Sequence, residues 1–222
     1  MREERVEIDG IPGKVYVSGD APGLVLLGHG GGHSKDAERF VNLSRHYAER
    51  TGLAVVCIDA VDHGERKPAA VSPEIPHRWH SNTIHQMVDD WQRTVAGLSS
   101  LGPALAYVGF SMGAIFGVPT VAAMPSITVA VFVVGGIPAG GGIEDPPLRG
   151  VLLDAAAHLE RAEVLMLNKS DDEIFPVEGA QALFDAIPGD NKRLMFWEGN
   201  HDDWPPDLIR ESATFISQHA AR

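Results

Sequence analysis

The sequence VGFSMGA occupies residues 108 to 114, directly after the apolar run Ala104 to Tyr107. Ser111 lies between a run with the composition of a buried strand and a stretch that is helical in character. A strand that turns sharply into a helix would need unusual backbone angles at Ser111. Gly109 and Gly113 remove the side chains that would collide with the strand and the helix. Two interpretations follow: a reactive serine held on a sharp turn, or a flexible glycine-rich connection.

Apolar runs of strand length alternate with amphipathic stretches along the rest of the chain. Strands that are apolar on both faces and alternate with helices indicate a doubly wound parallel sheet covered by helices on both sides. Near the amino terminus, two short runs flank the turn-forming residues 9 to 13, which predicts a β-hairpin at one edge. We therefore expect an α/β fold with about six parallel strands, organised as one domain over residues 1–222. The predicted strands lie at 24–27, 53–59, 104–110, 127–134, 164–167 and 193–197.

Helices are predicted between these strands, some with recognisable ends. Ser34 is a candidate N-cap for the first helix, and Gly52 would stop it. Pro119 lies inside the third helix, where its missing N–H is expected to kink or end the helix. The predicted helices cover 35–50, 84–98, 112–124, 148–162, 177–187 and 208–216, with loops over 64–76 and 138–147.

Composition excludes several classes of function. The chain has 222 residues and a formal net charge of −12. Such a surface repels phosphate backbones and anionic lipids, so no nucleic-acid or membrane partner is expected. Cys57, the single cysteine, lies in an apolar run, which predicts a buried thiol and no disulfide. The start of the chain lacks the pattern of a signal peptide, and no apolar run is long enough to cross a membrane. These features predict a cytoplasmic protein.

Polar residues follow several predicted strands, at the edge where parallel sheets carry their sites. A nucleophile, an acid and a base occur there in that chain order. These strand-end residues are the glycine run Gly28 to Gly32 after the first parallel strand, Ser111 after the third, Asp171 and Asp172 after the fifth, and His201 after the sixth.

These residue types are the ones that nucleophilic catalysis by serine requires. A serine hydroxyl needs an imidazole to take its proton and a carboxylate to fix the imidazole tautomer. His201 could supply the imidazole, and either Asp172 or Asp171 the carboxylate. The N–H of Met112, at the start of a helix, could stabilise an oxyanion, and the glycine run could offer a second donor.

Together the motifs resemble the α/β-hydrolase superfamily over nearly the whole chain. They are Gly-x-Ser-x-Gly at 109–113, His-Gly-Gly-Gly at 29–32, Asp-x-x-x-Pro at 172–176 and Gly-x-His at 199–201. The small size and the pattern Asp-x-x-x-His-Gly-Glu-Arg at 59–66 resemble the dienelactone-hydrolase and small-esterase branch. The usual nucleophile of dienelactone hydrolases is cysteine, so Ser111 favours an esterase.

The resemblance implies the α/β-hydrolase fold without a separate lid domain. It implies Ser111 as nucleophile and His201 as base. Asp172 is the implied acid, because it precedes Pro176 by four positions as in the family pattern, and Asp171 is the rival. The implied oxyanion donors are Gly31 and Met112, with Gly30 or Gly32 as alternatives.

The implied activity is that of a carboxylesterase, which hydrolyses small esters through an acyl-enzyme and needs no cofactor. Hydrolysis of thioesters, lactones, carbon–carbon bonds or peptides would use the same triad, so these alternatives stay open. A second alternative is a non-catalytic, ligand-binding member of the fold. A nucleotide-binding oxidoreductase is disfavoured, because the glycine run lacks the Gly-x-Gly-x-x-Gly order.

Other polar and aromatic residues are weaker candidates. His77, His80 and His85 form the densest histidine cluster, but His-Glu-x-x-His and cysteine pairs are both absent from the sequence, so no metal site is expected. Asp59 and His63 are predicted to hold the loop that follows the second parallel strand. The candidate substrate contacts are Gly30, His33, Trp79 and His80, and His29 is a candidate support near the oxyanion donors. Residues 202–204 form either the rim of the cleft or a solvated turn.

Overall fold

The computed structural model describes residues 1–68, 81–139 and 146–220. Within these residues the chain forms eight strands and six α-helices, in the order that the sequence predicts. The strands are β1 (Arg2–Ile8), β2 (Ile11–Val17), β3 (Leu24–Gly28), β4 (Ala54–Ile58), β5 (Ala104–Phe110), β6 (Val129–Val133), β7 (Glu163–Lys169) and β8 (Lys192–Trp197). The helices are α1 (Glu38–Thr51), α2 (Ser81–Gly97), α3 (Met112–Ala123), α4 (Pro146–Ala156), α5 (Val177–Ala186) and α6 (Pro206–His219).

All eight strands belong to one sheet with the order β1-β2-β4-β3-β5-β6-β7-β8. The strands from β3 to β8 run parallel, and β2 pairs antiparallel with both β1 and β4. The hairpin turn is shorter than predicted. It consists of Asp9 and Gly10, with φ angles of 51° and 77°, and β2 begins at Ile11. Two successive positive φ angles suit the right-handed twist of the flanking strands. The predicted α/β fold with an N-terminal hairpin is confirmed.

Helices cover both faces of the sheet and enclose two apolar cores. One core contains side chains of α2, α3, α4 and α5, and the other contains side chains of α1 and α6. On the second face, the Tyr47 hydroxyl of α1 and the Ser212 hydroxyl of α6 are hydrogen-bonded at 2.7 Å in the interior. Helix α3 is buried from Met112 to Val121, because it is apolar on all sides and lies between α2 and α4.

Three helix ends differ from the prediction. Ser34 is not an N-cap: α1 begins at Glu38 without a side-chain cap, and the Ser34 hydroxyl accepts the Asp36 N–H at 3.3 Å instead. Helix α3 continues through Pro119, because its packing in the core outweighs one missing hydrogen bond. Helix α4 ends at Ala156 and not near Ala162, and the following residues form turns.

Other local predictions are confirmed. Gly52 ends α1 in the left-handed conformation with a φ of 70°. Cys57 is buried in β4 as a free thiol. A short 3₁₀ turn over Gly64–Arg66 opens the predicted loop at 64–76, whose residues from 69 onward lie outside the described part of the chain. No helix of the described residues is long and apolar enough to cross a membrane.

Candidate active site

Ser111 lies at the sharp turn between β5 and α3. Its φ and ψ angles are 54° and −115°, a conformation that L-residues rarely adopt and that costs free energy. Close packing holds the turn in place. A Cβ atom on Gly109 would overlap the Gly113 carbonyl, and one on Gly113 would overlap the Gly28 carbonyl. Both glycines are therefore required by the approach of α3 to the ends of β5 and β3.

Ser111, His201 and Asp172 form one continuous chain of hydrogen bonds. The Ser111 hydroxyl oxygen lies 2.8 Å from His201 Nε2, and His201 Nδ1 lies 2.8 Å from Asp172 Oδ2. All three residues are buried. In the tautomer that fits this chain, Nδ1–H donates to the carboxylate and Nε2 is free to accept the serine proton.

The structure brings Asp172, and not Asp171, to His201. Asp172 follows β7, and its second oxygen accepts the N–H groups of Ile174 and Phe175, both at 2.9 Å. The Asp171 side chain is exposed and points elsewhere, where it accepts the Gly199 N–H at 3.2 Å. The two neighbouring carboxylates thus have different contacts. Asp172 faces the imidazole of His201, whereas Asp171 bonds the backbone at Gly199, two residues before the histidine.

The candidate oxyanion donors lie on both sides of Ser111. Met112 is the first residue of α3, and an N–H at this helix position has no acceptor within the helix. On the glycine loop, a Cβ atom on Gly30 would lie 3.7 Å from Ser111 Cβ and 3.6 Å from His33 Cδ2. Gly30 and His33 therefore border the space beside the serine. Gly31 follows directly, and a Cβ atom there would have no heavy atom within 4 Å.

Two histidines of the glycine loop have lowered pKa values. Burial lowers the pKa of His29 to about 4, so the ring is neutral near pH 7. Its Nε2 accepts the Ala60 N–H at 3.0 Å, and Nδ1–H donates to the Gly30 carbonyl at 2.9 Å. Burial and the nearby Arg39 guanidinium lower the pKa of His33. His29 thus supports the loop through its hydrogen bonds, as expected, whereas His33 is partly exposed.

Trp204 has a role that sequence reasoning left open between a cleft rim and a solvated turn. Its indole N–H donates to the His201 carbonyl at 2.8 Å, and its ring packs 4.7 Å from that of Phe110. The Arg39 guanidinium lies 4.4 Å above the indole ring. Trp204 therefore packs against Phe110, the neighbour of Ser111, and holds the backbone of His201. Its position three residues after the histidine was the sequence signal that could have predicted this contact. Asp202 and Asp203 are exposed.

The weaker candidates separate clearly. Asp59 is buried and His63 Nδ1 bonds the Val61 carbonyl at 2.8 Å, so both hold the segment after β4. Trp79 and His80 lie outside the described residues, together with His77. Among the residues that the structure describes, no three histidine, cysteine or carboxylate side chains are grouped as metal ligands would be.

Fold and site together define an α/β hydrolase. The chain belongs to the alpha/beta hydrolase family, whose family model matches residues 24–216. No protein with a curated description matches the chain.

Solved structures with the same fold cover almost all of the chain. A PEG-bound, cold-adapted esterase from an Arctic intertidal metagenomic library is 26% identical, with a TM-score of 0.78 over 98% of this chain and 92% of that one. TT1662 from Thermus thermophilus is 22% identical, with a TM-score of 0.80 over 98% and 97% of the two chains. The esterase Pf2001 from Pyrococcus furiosus is 15% identical, with a TM-score of 0.73 over 99% and 92%. The last two show the shared fold alone.

Proposed function

We propose that the protein is a serine carboxylesterase that hydrolyses small esters through an acyl-enzyme intermediate. The observation that carries the proposal is the hydrogen-bond chain from the Ser111 hydroxyl through His201 to Asp172, with 2.8 Å at each step. Similarity to an esterase that shares 26% of its residues supports the choice of an ester bond. The lone buried thiol and the acidic composition agree with a cytoplasmic location.

Acylation begins when Ser111 Oγ attacks the ester carbonyl carbon while His201 Nε2 takes the serine proton. Asp172 stabilises the imidazolium and keeps Nδ1 protonated. The carbonyl oxygen becomes an oxyanion, to which the N–H groups of Met112 and Gly31 would donate hydrogen bonds. When the tetrahedral intermediate collapses, the carbon–oxygen bond to the alcohol breaks and His201 gives its proton to the departing alcohol.

Deacylation repeats these steps with water. His201 takes a proton from a water molecule, whose oxygen attacks the acyl carbonyl carbon and forms a second oxyanion in the same hole. Collapse breaks the bond to Ser111 Oγ, which recovers its proton from His201, and the carboxylic acid leaves. Each proton that His201 accepts is returned within the same half-reaction, so the cycle balances without a cofactor.

Hydrolysis of a short-chain aryl ester by the wild type, Ser111→Ala and Ser170→Ala tests this function. Ser170 is an exposed serine directly after β7, the strand that precedes Asp172. Its variant therefore controls for the loss of a hydroxyl near the site. We expect turnover by the wild type and Ser170→Ala, and none above background by Ser111→Ala, with unchanged circular dichroism.

A fluorophosphonate probe separates the alternatives. If the wild type is inert towards esters but the probe labels Ser111, the substrate is a thioester, a lactone, a peptide or a carbon–carbon bond. If the probe also fails to label Ser111, the esterase proposal is wrong and a non-catalytic binding function is favoured.

A further inference from the structure

The glycine loop beside Ser111 has almost no packing of its own. Gly30, Gly31 and Gly32 carry no side chains, and a Cβ atom on Gly31 or Gly32 would have no heavy atom within 4 Å. Glycine also has the largest backbone freedom of any residue. One turn bond, from the His33 N–H to the Gly30 carbonyl at 3.2 Å, spans Gly31 and Gly32. Where this turn lies relative to Ser111 depends on the residues that hold the two ends of the loop.

Both ends of the loop are bonded to the segment that follows β4. On one side, His29 Nε2 accepts the Ala60 N–H at 3.0 Å. On the other side, the Lys35 N–H donates to Asp59 Oδ1 at 2.9 Å. The two ends of the loop are thus bonded to the adjacent residues Asp59 and Ala60. A shift of Asp59 would therefore move the glycines that lie between the two bonded ends.

Both oxygens of the Asp59 carboxylate are hydrogen-bonded. The residue is fully buried, and Oδ2 accepts both the Lys35 ammonium and the Glu65 N–H at 2.9 Å. Gly64 adopts a φ of 56° beside it, and a Cβ atom at this position would overlap the carboxylate. The Asp59 carboxylate is therefore enclosed by Lys35, Gly64 and Glu65.

Lys35 neutralises the buried charge. Only 1% of its side chain is exposed, and its ammonium also contacts the carboxylates of Asp36 and Glu65. Burial disfavours the charged ammonium, but its hydrogen bonds to these carboxylates outweigh that effect and raise the pKa of Lys35. A buried carboxylate without a partner of opposite charge would be strongly destabilising.

We propose that Asp59 and Lys35 form a positioning pair for the oxyanion hole, which holds the Gly31 N–H where the transition-state oxyanion forms. The inference rests on the proposed esterase function. The oxyanion is absent from the bound ester and forms only in the tetrahedral intermediates and the transition states that flank them. A displaced donor should therefore lower kcat and leave KM nearly unchanged. Complete loss of one donor costs about 100- to 1,000-fold in kcat, and a displaced donor should cost less.

The test measures ester hydrolysis and inhibition by a trifluoromethyl ketone, whose hemiketal oxyanion with Ser111 occupies the hole. For Asp59→Asn we expect kcat to fall by about 10- to 100-fold with KM within about threefold of the wild type. The affinity for the ketone should fall by the same factor as kcat/KM. Lys35→Met, which keeps the backbone amide and the aliphatic stem, should change both values in the same direction and is the second variant if Asp59→Asn does not fold.

Ser212→Ala is the matched control for a merely structural effect. It removes a buried hydrogen bond to Tyr47 between α1 and α6, away from the glycine loop. It should lower the stability to unfolding without changing kcat or the affinity for the ketone.

Two results would overturn the positioning role: folded Asp59→Asn with wild-type kcat, or a lower stability of both variants with wild-type affinity for the ketone. If the wild type itself neither hydrolyses esters nor reacts with the ketone, the proposed function fails first and the positioning role fails with it.

Discussion

One oxygen of Asp172 faces His201 Nδ1 at 2.8 Å while the other is held at 2.9 Å by two backbone N–H groups of the following turn. The carboxylate therefore cannot rotate away from the imidazole without breaking the turn that begins with Ile174. A carboxylate fixed in this way keeps the imidazole in one orientation before substrate arrives, which is the preorganisation that general-base catalysis requires.

Replacement of Asp172 by asparagine should lower kcat by about 10⁴-fold while the fold is kept. The amide oxygen can still accept the N–H groups of Ile174 and Phe175. The amide nitrogen then faces His201 Nδ1 and favours the tautomer in which Nε2 carries the proton and cannot act as a base. Steady-state hydrolysis of an aryl ester, with circular dichroism for the fold, checks this result.

Asp171→Asn is the matched control for that substitution. The Asp171 side chain is exposed and bonds only the Gly199 N–H among the described residues, so its kcat should stay within about threefold of the wild type. If instead Asp171→Asn abolished turnover and Asp172→Asn did not, the assignment of Asp172 as the acid would be wrong.

The glycines of the serine turn should tolerate no side chain. Gly113→Ala would force a Cβ atom onto the Gly28 carbonyl, a backbone atom that cannot move aside. We expect the free energy of unfolding to fall by about 3 kcal/mol or more. Gly150→Ala is the control, because Gly150 lies in α4 with open space around it and alanine should stabilise the helix by up to about 1 kcal/mol. Urea unfolding of both variants measures the difference, and equal effects would show that the close approach of α3 to β3 is not required.

Much of this fold follows from short-range pattern. Strands β3 to β6 are apolar runs, and β7 has an apolar centre from Val164 to Leu167. Few alternatives to a covered parallel sheet exist for such runs. Pattern fails where tertiary packing decides. The start of α1 has no capping side chain, and α3 passes through Pro119 because the surrounding core stabilises it. Neither the missing cap nor the packing of α2 and α4 around Pro119 can be predicted from the neighbouring residues.

The candidate residues at the strand ends could be predicted from the sequence, but the hydrogen bonds that hold them in place could not. Sequence order suggested a serine, an acid and a histidine at strand ends, but Asp171 and Asp172 are adjacent, and only the turn geometry separates their directions. The bond from Trp204 to His201 spans only three residues, but the bond from the Lys35 N–H to Asp59 joins residues 24 apart in the chain. Nothing in a local pattern specifies which buried donor meets which acceptor.

Cys57 should be unreactive in the folded protein. Burial raises the pKa of its thiol, so the thiolate that reacts with alkylating reagents is scarce, and the residue has no exposed surface. Titration with a chromogenic disulfide at about pH 8 should detect no thiol in the native protein and one after denaturation. Rapid labelling of the native protein would show that β4 opens locally, since this thiol lies in the middle of the sheet.

His29 should make the protein less stable in acid. Its folded pKa is about 4, below the ordinary value of 6.5, because burial disfavours the charged ring. Between these two values the unfolded chain binds a proton that the folded protein does not. The stability from this site is therefore complete above the ordinary pKa and is lost as the pH falls towards the folded pKa. At about pH 5 the loss should amount to about 2 kcal/mol.

His29→Gln isolates that contribution, since a glutamine oxygen can accept the Ala60 N–H but does not titrate. The variant is expected to be less stable than the wild type at neutral pH, because the ring also packs against Phe40 at 5.9 Å. The informative quantity is how the free energy of unfolding in urea changes between about pH 7 and about pH 5. That change should be about 2 kcal/mol smaller in the variant than in the wild type. Equal changes would mean that His29 is protonated in the folded protein, which would break its bond to Ala60 and release one end of the glycine loop.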